Sequence, residues 1–245
     1  MNNTKIIAFS GKKQSGKNTC ANFIYSKYLG NLNIAKKINL NENGEIVVSD
    51  LYNKKEYAGL FNPCTTNSND YIITKCLNTL GPYIKLYSFA DPLKQDICMN
   101  ILGLTHDQCY GADDKKNELV DCYWPDKKTQ MTAREVMQYI GTDMLRSIKQ
   151  SVWTDAMIAK IHRDQPQIAI ITDCRFPNEV ECIQKNNGVV VRLTRNIYNS
   201  SHISEQILDE DKYDWNKFDY IIDNREIDIY NQSLEVDKIL KEVLS

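Results

Sequence analysis

The sequence lacks the features that would tie a chain to membranes, to export or to nucleic acid. No run of about 18 apolar residues occurs, the least a helix needs to cross a bilayer. The opening MNNTKIIAFSG holds no apolar stretch of signal-peptide length, so a soluble, cytoplasmic protein without a membrane partner is expected. Thirty basic residues face thirty-two acidic ones, a formal charge of -2. That balance excludes the global basic field of a nucleic-acid binder and leaves any attraction for phosphate to local groups. Eight cysteines, at 20, 64, 76, 98, 109, 122, 174 and 182, contain no C-x-x-C pair. Reduced thiols are expected, rather than disulfides or a zinc site.

What is present centres on Lys5 to Thr19, KIIAFSGKKQSGKNT. A short apolar strand, Lys5 to Phe9, runs into Gly11, Gly16 and Lys17 at the spacing of a phosphate-binding loop, and a helix follows from Lys17 to about Leu29. Gly11 and Gly16 have no Cβ, so the backbone through Lys12, Lys13, Gln14 and Ser15 can curl round a polyphosphate with its N–H groups inward. Lys17 supplies a mobile positive charge for the β and γ phosphates, and the helix aims its positive dipole end at them. Asn18 stands where the usual pattern has a hydroxyl for magnesium; the hydroxyl comes one residue later, at Thr19. Several small kinases that act on nucleotides share that departure. The competing reading is an accidental Gly-rich turn before a helix.

Along the rest of the chain, strand and helix patterns alternate. The first helix shows Cys20, Phe23, Ile24 and Tyr28 at helical spacing. Asn31 to Pro82 reads as an insertion with a hairpin signal at Asn43-Gly44, a surface ornament more than a cover for the site. Tyr83 to Phe89 alternates like a strand, and Asp91-Pro92 starts a helix. Asp91 either caps that helix or, with Lys94, lies at the carboxyl end of a parallel strand where ligands gather. His106 to Lys128 reads as a mobile connection. In TAREVMQYIGTDMLRSIK, Thr132 and Glu135 form a capping box, Val136, Met137 and Ile140 supply a core face, and Gly141 bends the helix. Arg134, Gln138 and Asp143 are either solvated charges or the lining of one cleft. Trp153, on a helix around Ser151 to His162, reads as a core residue.

A second informative site is Gln167 to Glu179, QIAIITDCRFPNE. Ile168 to Ile171 has the continuous apolar character of a strand buried on both faces, and a helix begins near Pro177. Asp173 at its end is a candidate magnesium anchor, directly or through water, and Arg175 a candidate for reaching a transferring phosphoryl group. The alternative for Asp173 is a turn acid capping the next helix. Strands at Gly188 to Arg195 and Phe218 to Asp223 flank a polar segment with His202, Ser204 and Glu205. An amphipathic helix, about Gln232 to Leu244, closes the chain. The pattern predicts an α/β, three-layer P-loop kinase fold in a single domain 1-245, with a mainly parallel sheet of about five strands and helices on both faces.

SGKKQSGKNT, YSFADPLK, REVMQYIGTDMLR, Trp153, ITDCRFPNEVE, VRLTR, HISE and a last strand ending in Asp223-Asn224 occur in the order seen in phage-type deoxynucleoside monophosphate kinases, which the chain resembles over about two thirds of its length. The resemblance implies an ATP donor, magnesium and a deoxynucleoside monophosphate acceptor. It also implies acceptor roles for Arg134, Gln138, Asp143 and Trp153, and places Arg195 and His202 on the closing side of the site. By analogy a lid falls in 195-215.

The chemistry makes few demands. The second pKa of a nucleoside monophosphate is about 6, so its attacking oxygen is already ionised at neutral pH and no general base is needed. The site must align two polyanions, spread positive charge over the transferred group and exclude water. Accordingly no protein-kinase catalytic loop is found. The candidates are Lys17, Asp173 and Arg175 for catalysis, Gly11 to Thr19 with Arg195 for ATP, Thr19 and Asp173 for the metal, and Asp91, Lys94, Arg134, Gln138, Asp143, Trp153 and Arg175 for the acceptor. The competing functions are a P-loop kinase of another small metabolite, resembling dephospho-coenzyme A or phosphomevalonate kinase, and an ATP-binding regulatory module that transfers nothing. Either a monomer or a homodimer is compatible. Lys17→Ala should lower turnover by orders of magnitude while the protein stays folded; near-normal steady-state activity in that variant would remove the loop from the mechanism.

Overall fold

The computed structural model describes residues 4–49, 58–61, 63, 71–126, 128–197 and 203–245. They divide into two compact units, one made of Met1–Tyr87 with Ile161–Ser245 and the other of Ser88–Lys160.

The first unit is built on a five-stranded sheet. Its order is Tyr220–Ile222, Val189–Leu193, Lys5–Ser10, Ile168–Cys174, Ile84–Tyr87, and every neighbouring pair is parallel. Ile7 pairs with Ile170 on one side and with Val189 on the other, so the first strand lies at the centre. Ile6, Ile7, Ala8 and Phe9 are all at most 2% exposed. Successive strand residues point to opposite faces, so both faces of the sheet are covered, which is why these strands read as unbroken apolar runs.

The helix Lys17–Asn31 packs with Ile229–Leu244 in the main core through Cys20, Ala21, Ile24, Tyr25 and Leu29. Phe23 and Tyr28, expected on the buried face, are only partly buried, so that face is turned towards Ala21 and Tyr25. The seven described cysteines are free, and burial pushes the Cys20 thiol up to about 12. Among the described residues no helix is long and apolar enough to cross a membrane.

The insertion forms the expected hairpin and more. Lys37–Leu40 pairs antiparallel with Ile46–Ser49, and a third strand, Ala58–Phe61, extends the sheet. Asn41 organises the turn by accepting the N–H groups of Asn43 and Glu45 on its side-chain oxygen, leaving Gly44 at φ 74°. The insertion is not the surface ornament expected, because it contributes to the main core. Ile46, Val48 and Phe61 are fully buried in the main core, as are Ile73, Cys76 and Leu80 of the helix Tyr71–Leu80. The hairpin is also fastened to the helix that follows the loop, because the Asn22 amide donates to the Gly44 carbonyl at 2.8 Å.

In the second unit, His106 to Lys128 is not the mobile connection expected. It holds the helices His106–Tyr110 and Asp113–Lys116, the first closed by a capping box between Thr105 and Gln108, and the strand Leu119–Tyr123 paired with Gln130–Thr132. Cys98, Leu104, Cys109, Val120, Met131, Ala133 and Val136 give the unit its own core. The Thr132–Glu135 capping box is present, and at Gly141 the helix widens into i→i+5 turns over Tyr139–Met144. A Cβ on Gly141 would come within 2.6 Å of Leu93, so glycine permits that close approach. Widened turns leave carbonyls in need of donors, and the Trp153 indole N–H supplies one to Gly141 at 2.9 Å.

Gly44→Ala should destabilise the protein by about 1–3 kcal/mol. A Cβ there would fall 2.3 Å from the Thr19 hydroxyl on a backbone at positive φ. A chemical denaturation midpoint equal to wild type would mean that the hairpin tip is not seated on the loop helix.

Candidate active site

The loop between the central strand and the helix Lys17–Asn31 owes its shape to glycine. Gly11 has φ 156° and Gly16 has φ 101°, and Gln14 also takes a left-handed conformation at φ 60°. A Cβ on Gly11 would lie 2.4 Å from the Ser15 hydroxyl, and one on Gly16 would lie 2.9 Å from the Gln232 amide. The loop therefore closes on itself and on the last helix without room for side chains at either position.

Inside it lies Lys17, 8% exposed. Its ammonium donates to the carbonyls of Gly11 at 2.8 Å and Lys12 at 2.6 Å, with the Ser15 hydroxyl at 3.4 Å. Burial lowers its pKa to about 8, the Arg175 charge pushes the same way, and Glu205 and Asp173 oppose them. Two buried amides brace the loop from behind. Asn224 donates to the Ser15 carbonyl at 2.7 Å and to Gln232 at 2.8 Å, and Gln232 donates to the Gly16 carbonyl at 3.2 Å.

Parallel pairing delivers the second set of groups. Ser10, the last residue of the central strand, pairs with Cys174, so the tip carrying Asp173 and Arg175 lies beside the loop. The buried Glu179 carboxylate shapes that tip by accepting the N–H groups of Arg175 at 2.8 Å and Phe176 at 3.1 Å. Thus Glu179 serves the turn. On the other side, Ser10 pairs with Arg192, whose guanidinium is 4% exposed and donates to the Ser10 hydroxyl at 3.1 Å.

Arg175 pairs with Glu205, whose other oxygen accepts the Lys13 N–H at 2.7 Å. Lys12 pairs with Asp209 at 2.6 Å. Asn18 is exposed, and Thr19 faces the hairpin tip at Gly44. Arg195 is clamped by the carbonyls of Asn224 at 2.9 Å and Ile227 at 2.7 Å, and lines a cavity of about 750 Å³ with Phe23, Asn39, Asn41 and Tyr230. His202 lies outside the described residues, as does part of 195-215.

The remaining candidates stand in the second unit. Asp91 makes no side-chain cap to its helix; its carboxylate accepts the Tyr110 hydroxyl at 2.8 Å, and the Lys94 ammonium lies 4.4 Å from the centre of the Tyr110 ring. Arg134 is held by Asn117 at 3.0 Å and Asp113 at 2.8 Å, Gln138 and Asp143 are exposed, and Trp153 is a core residue. Sequence reasoning missed Arg192, Asp209, Gln232 and the bracing role of Asn224. Arg192 carried one usable signal, a lone cation in the apolar run VVVRL.

A family model described as deoxynucleotide monophosphate kinase matches residues 5–232. A putative deoxynucleotide monophosphate kinase of Acanthamoeba polyphaga mimivirus is 30% identical over 124 residues, which are 44% of this chain and 59% of that protein. The deoxynucleoside-5'-monophosphate kinase of Escherichia phage T5 is 31% identical over 115 residues, 41% of this chain and 45% of that protein. The chain thus spans about half the length of the curated relatives it matches.

The lowered pKa of Lys17 gives a pH test. Below about 8 the group is charged in both folded and unfolded chains, and folding bears the full cost of burying the charge. Between about 8 and 10.5 the folded protein releases the proton first, so stability rises with pH, and above that window the cost is gone. The stability of wild type relative to Lys17→Met should therefore rise by about 3 kcal/mol across it. A difference that stays flat from pH 7.5 to 10.5 would place the ammonium in solvent.

Proposed function

Because this chain belongs to the deoxynucleotide monophosphate kinase family, we propose that it transfers the γ-phosphoryl group of ATP to a deoxynucleoside monophosphate, giving the diphosphate. The observation that carries this reading is the convergence of Lys17, Asp173 and Arg175, the latter two exerting their charge on the Lys17 ammonium. Parallel register sets Cys174, between Asp173 and Arg175, beside Ser10 where the loop begins, and the loop folds the Lys17 ammonium back onto its own Gly11 and Lys12 carbonyls, which supports this reading.

Each group has a task in that reaction. The loop N–H groups and Lys17 grip the donor's phosphates, with the ammonium leaving the carbonyls of Gly11 and Lys12 for phosphate oxygens. Arg175 meets the charge that builds on the transferred group, at a tip whose backbone Glu179 holds still. Arg192, buried where Arg175 is only partly so, adds a guanidinium on the opposite side of the central strand. No proton need be abstracted, because the acceptor phosphate is ionised before it attacks.

The donor set at the site fits magnesium. Among the described residues no three His, Cys, Asp or Glu side chains gather as a protein-only cage. A magnesium ion would be held by phosphate oxygens and water with one strand-tip carboxylate, Asp173, and the Thr19 hydroxyl is the other candidate. When bound, magnesium neutralises charge on the β and γ phosphates.

Arg195 and its cavity, walled by Phe23, Tyr230 and the hairpin residues Asn39 and Asn41, suit the nucleoside end of the donor. Asp91, Lys94, Arg134, Gln138, Asp143 and Trp153 are assigned to the acceptor. Trp153 serves by fixing the widened helix through Gly141, and the others through their polar groups. ADP release in the presence of ATP and magnesium should require a deoxynucleoside monophosphate, with at least one of the four common bases stimulating release by 100-fold or more. Release stimulated only by other phosphorylated metabolites, or by no acceptor, would overturn the assignment.

A further inference from the structure

Four groups that a phosphate at the loop would meet are held by two carboxylates four residues apart. Glu205 accepts the Lys13 N–H at 2.7 Å on one oxygen and pairs with Arg175 through the other. Asp209 takes the Lys12 ammonium at 2.6 Å and lies 3.8 Å from Arg192. One amide, one ammonium and two guanidiniums thus face two acids in the manner in which such a loop holds an oxyanion.

The acids are presented by folded backbone. Trp215 donates its indole N–H to the Leu208 carbonyl at 2.9 Å, and the N–H of Tyr213 donates to the Asp209 carbonyl at 2.8 Å. The Glu205 side chain is 8% exposed. Arg192 is stacked over Trp215 and Phe218, with its guanidinium carbon 5.1 and 5.6 Å from their ring centres. Its Nε is buried with no hydrogen-bond partner among the described residues. A buried donor left unsatisfied is costly and uncommon, and here it belongs to a guanidinium that Asp209 engages at only 3.8 Å. This site holds more donor capacity than the two acids use.

We propose that Glu205 and Asp209 are an internal phosphate mimic, an anion that the donor must displace from the loop and that sets which anions can enter. The idea rests on the reading of the loop as a nucleoside triphosphate site. Each acid carries one charge, whereas a triphosphate brings several and reaches all four groups at once. A single phosphate would have to displace two acids with one group, so the acids favour the triphosphate over inorganic phosphate.

The test is binding calorimetry on the full chain with inorganic tripolyphosphate, inorganic phosphate and ATP, with and without magnesium. In Glu205→Gln the dissociation constant for tripolyphosphate and for ATP should fall about tenfold, and in Asp209→Asn several-fold. Inorganic phosphate, weak on wild type, should become measurable in the double variant. Dissociation constants that are unchanged or raised overturn the proposal. A rise confined to magnesium-containing buffer would make Glu205 a metal ligand instead. Should Glu205→Gln fail to fold, Asp209→Asn carries the test alone, because among the described residues the Asp209 carboxylate engages the Lys12 and Arg192 side chains and no loop N–H. Failure of wild type to bind ATP would sink the reading of the loop. Wild-type binding that is lost in Lys17→Ala but not tightened in either acid variant would sink the mimic alone.

Discussion

A single ammonium buried among the carbonyls of its own loop is the constraint on which this structure turns. Lys17 is kept inside by the Gly11 and Lys12 carbonyls, and its burial lowers its pKa to about 8. That strain is bearable because the surroundings are arranged for it. Gly11 and Gly16 leave the space, Asn224 and Gln232 occupy the neighbouring carbonyls, and Asp173 and Glu205 supply compensating charge. A group held this way is already desolvated, so moving it onto phosphate oxygens requires little reorganisation.

Around that ammonium the parallel sheet acts as a gauge. Three adjacent strands end together, and their registers carry Ser10, Cys174 and Arg192 to one level. The Asp173 carboxylate and the guanidiniums of Arg175 and Arg192 are consequences of that alignment. Under the proposed function the same cations, held here by the carboxylates of Glu205 and Asp209, would pass to the phosphates of a donor. Affinity at such a site is a difference between two well-made sets of contacts, not the sum of one.

The elements that sequence left obscure share a physical cause. Ile46, Val48 and Phe61 sit in short strands of four residues, where alternation is too brief to separate a core face from an ornament. His106 to Lys128 is charged and weakly periodic because its core residues, Cys109 and Val120, lie in separate short elements held by a capping box and an irregular strand pair. Arg134, Gln138 and Asp143 share one helical stretch, yet Arg134 turns to Asp113 and Asn117, partners reached only by folding.

The strand, loop and helix of Lys5 to Thr19, the buried run Ile168 to Ile171 with its acid and arginine, and the parallel α/β class were all legible, because each depends on local spacing or on a continuous apolar run. Spacing also located the hairpin turn, the Thr132 capping box and the bend at Gly141. Only the tertiary structure decided that Glu179 shapes the tip, that Asn224 and Gln232 brace the loop, and that Glu205, Asp209 and Arg192 meet there. These last contacts join residues up to 216 positions apart. Nothing in a local pattern encodes such partners; strand order and register do, and those are settled only when the whole sheet is assembled.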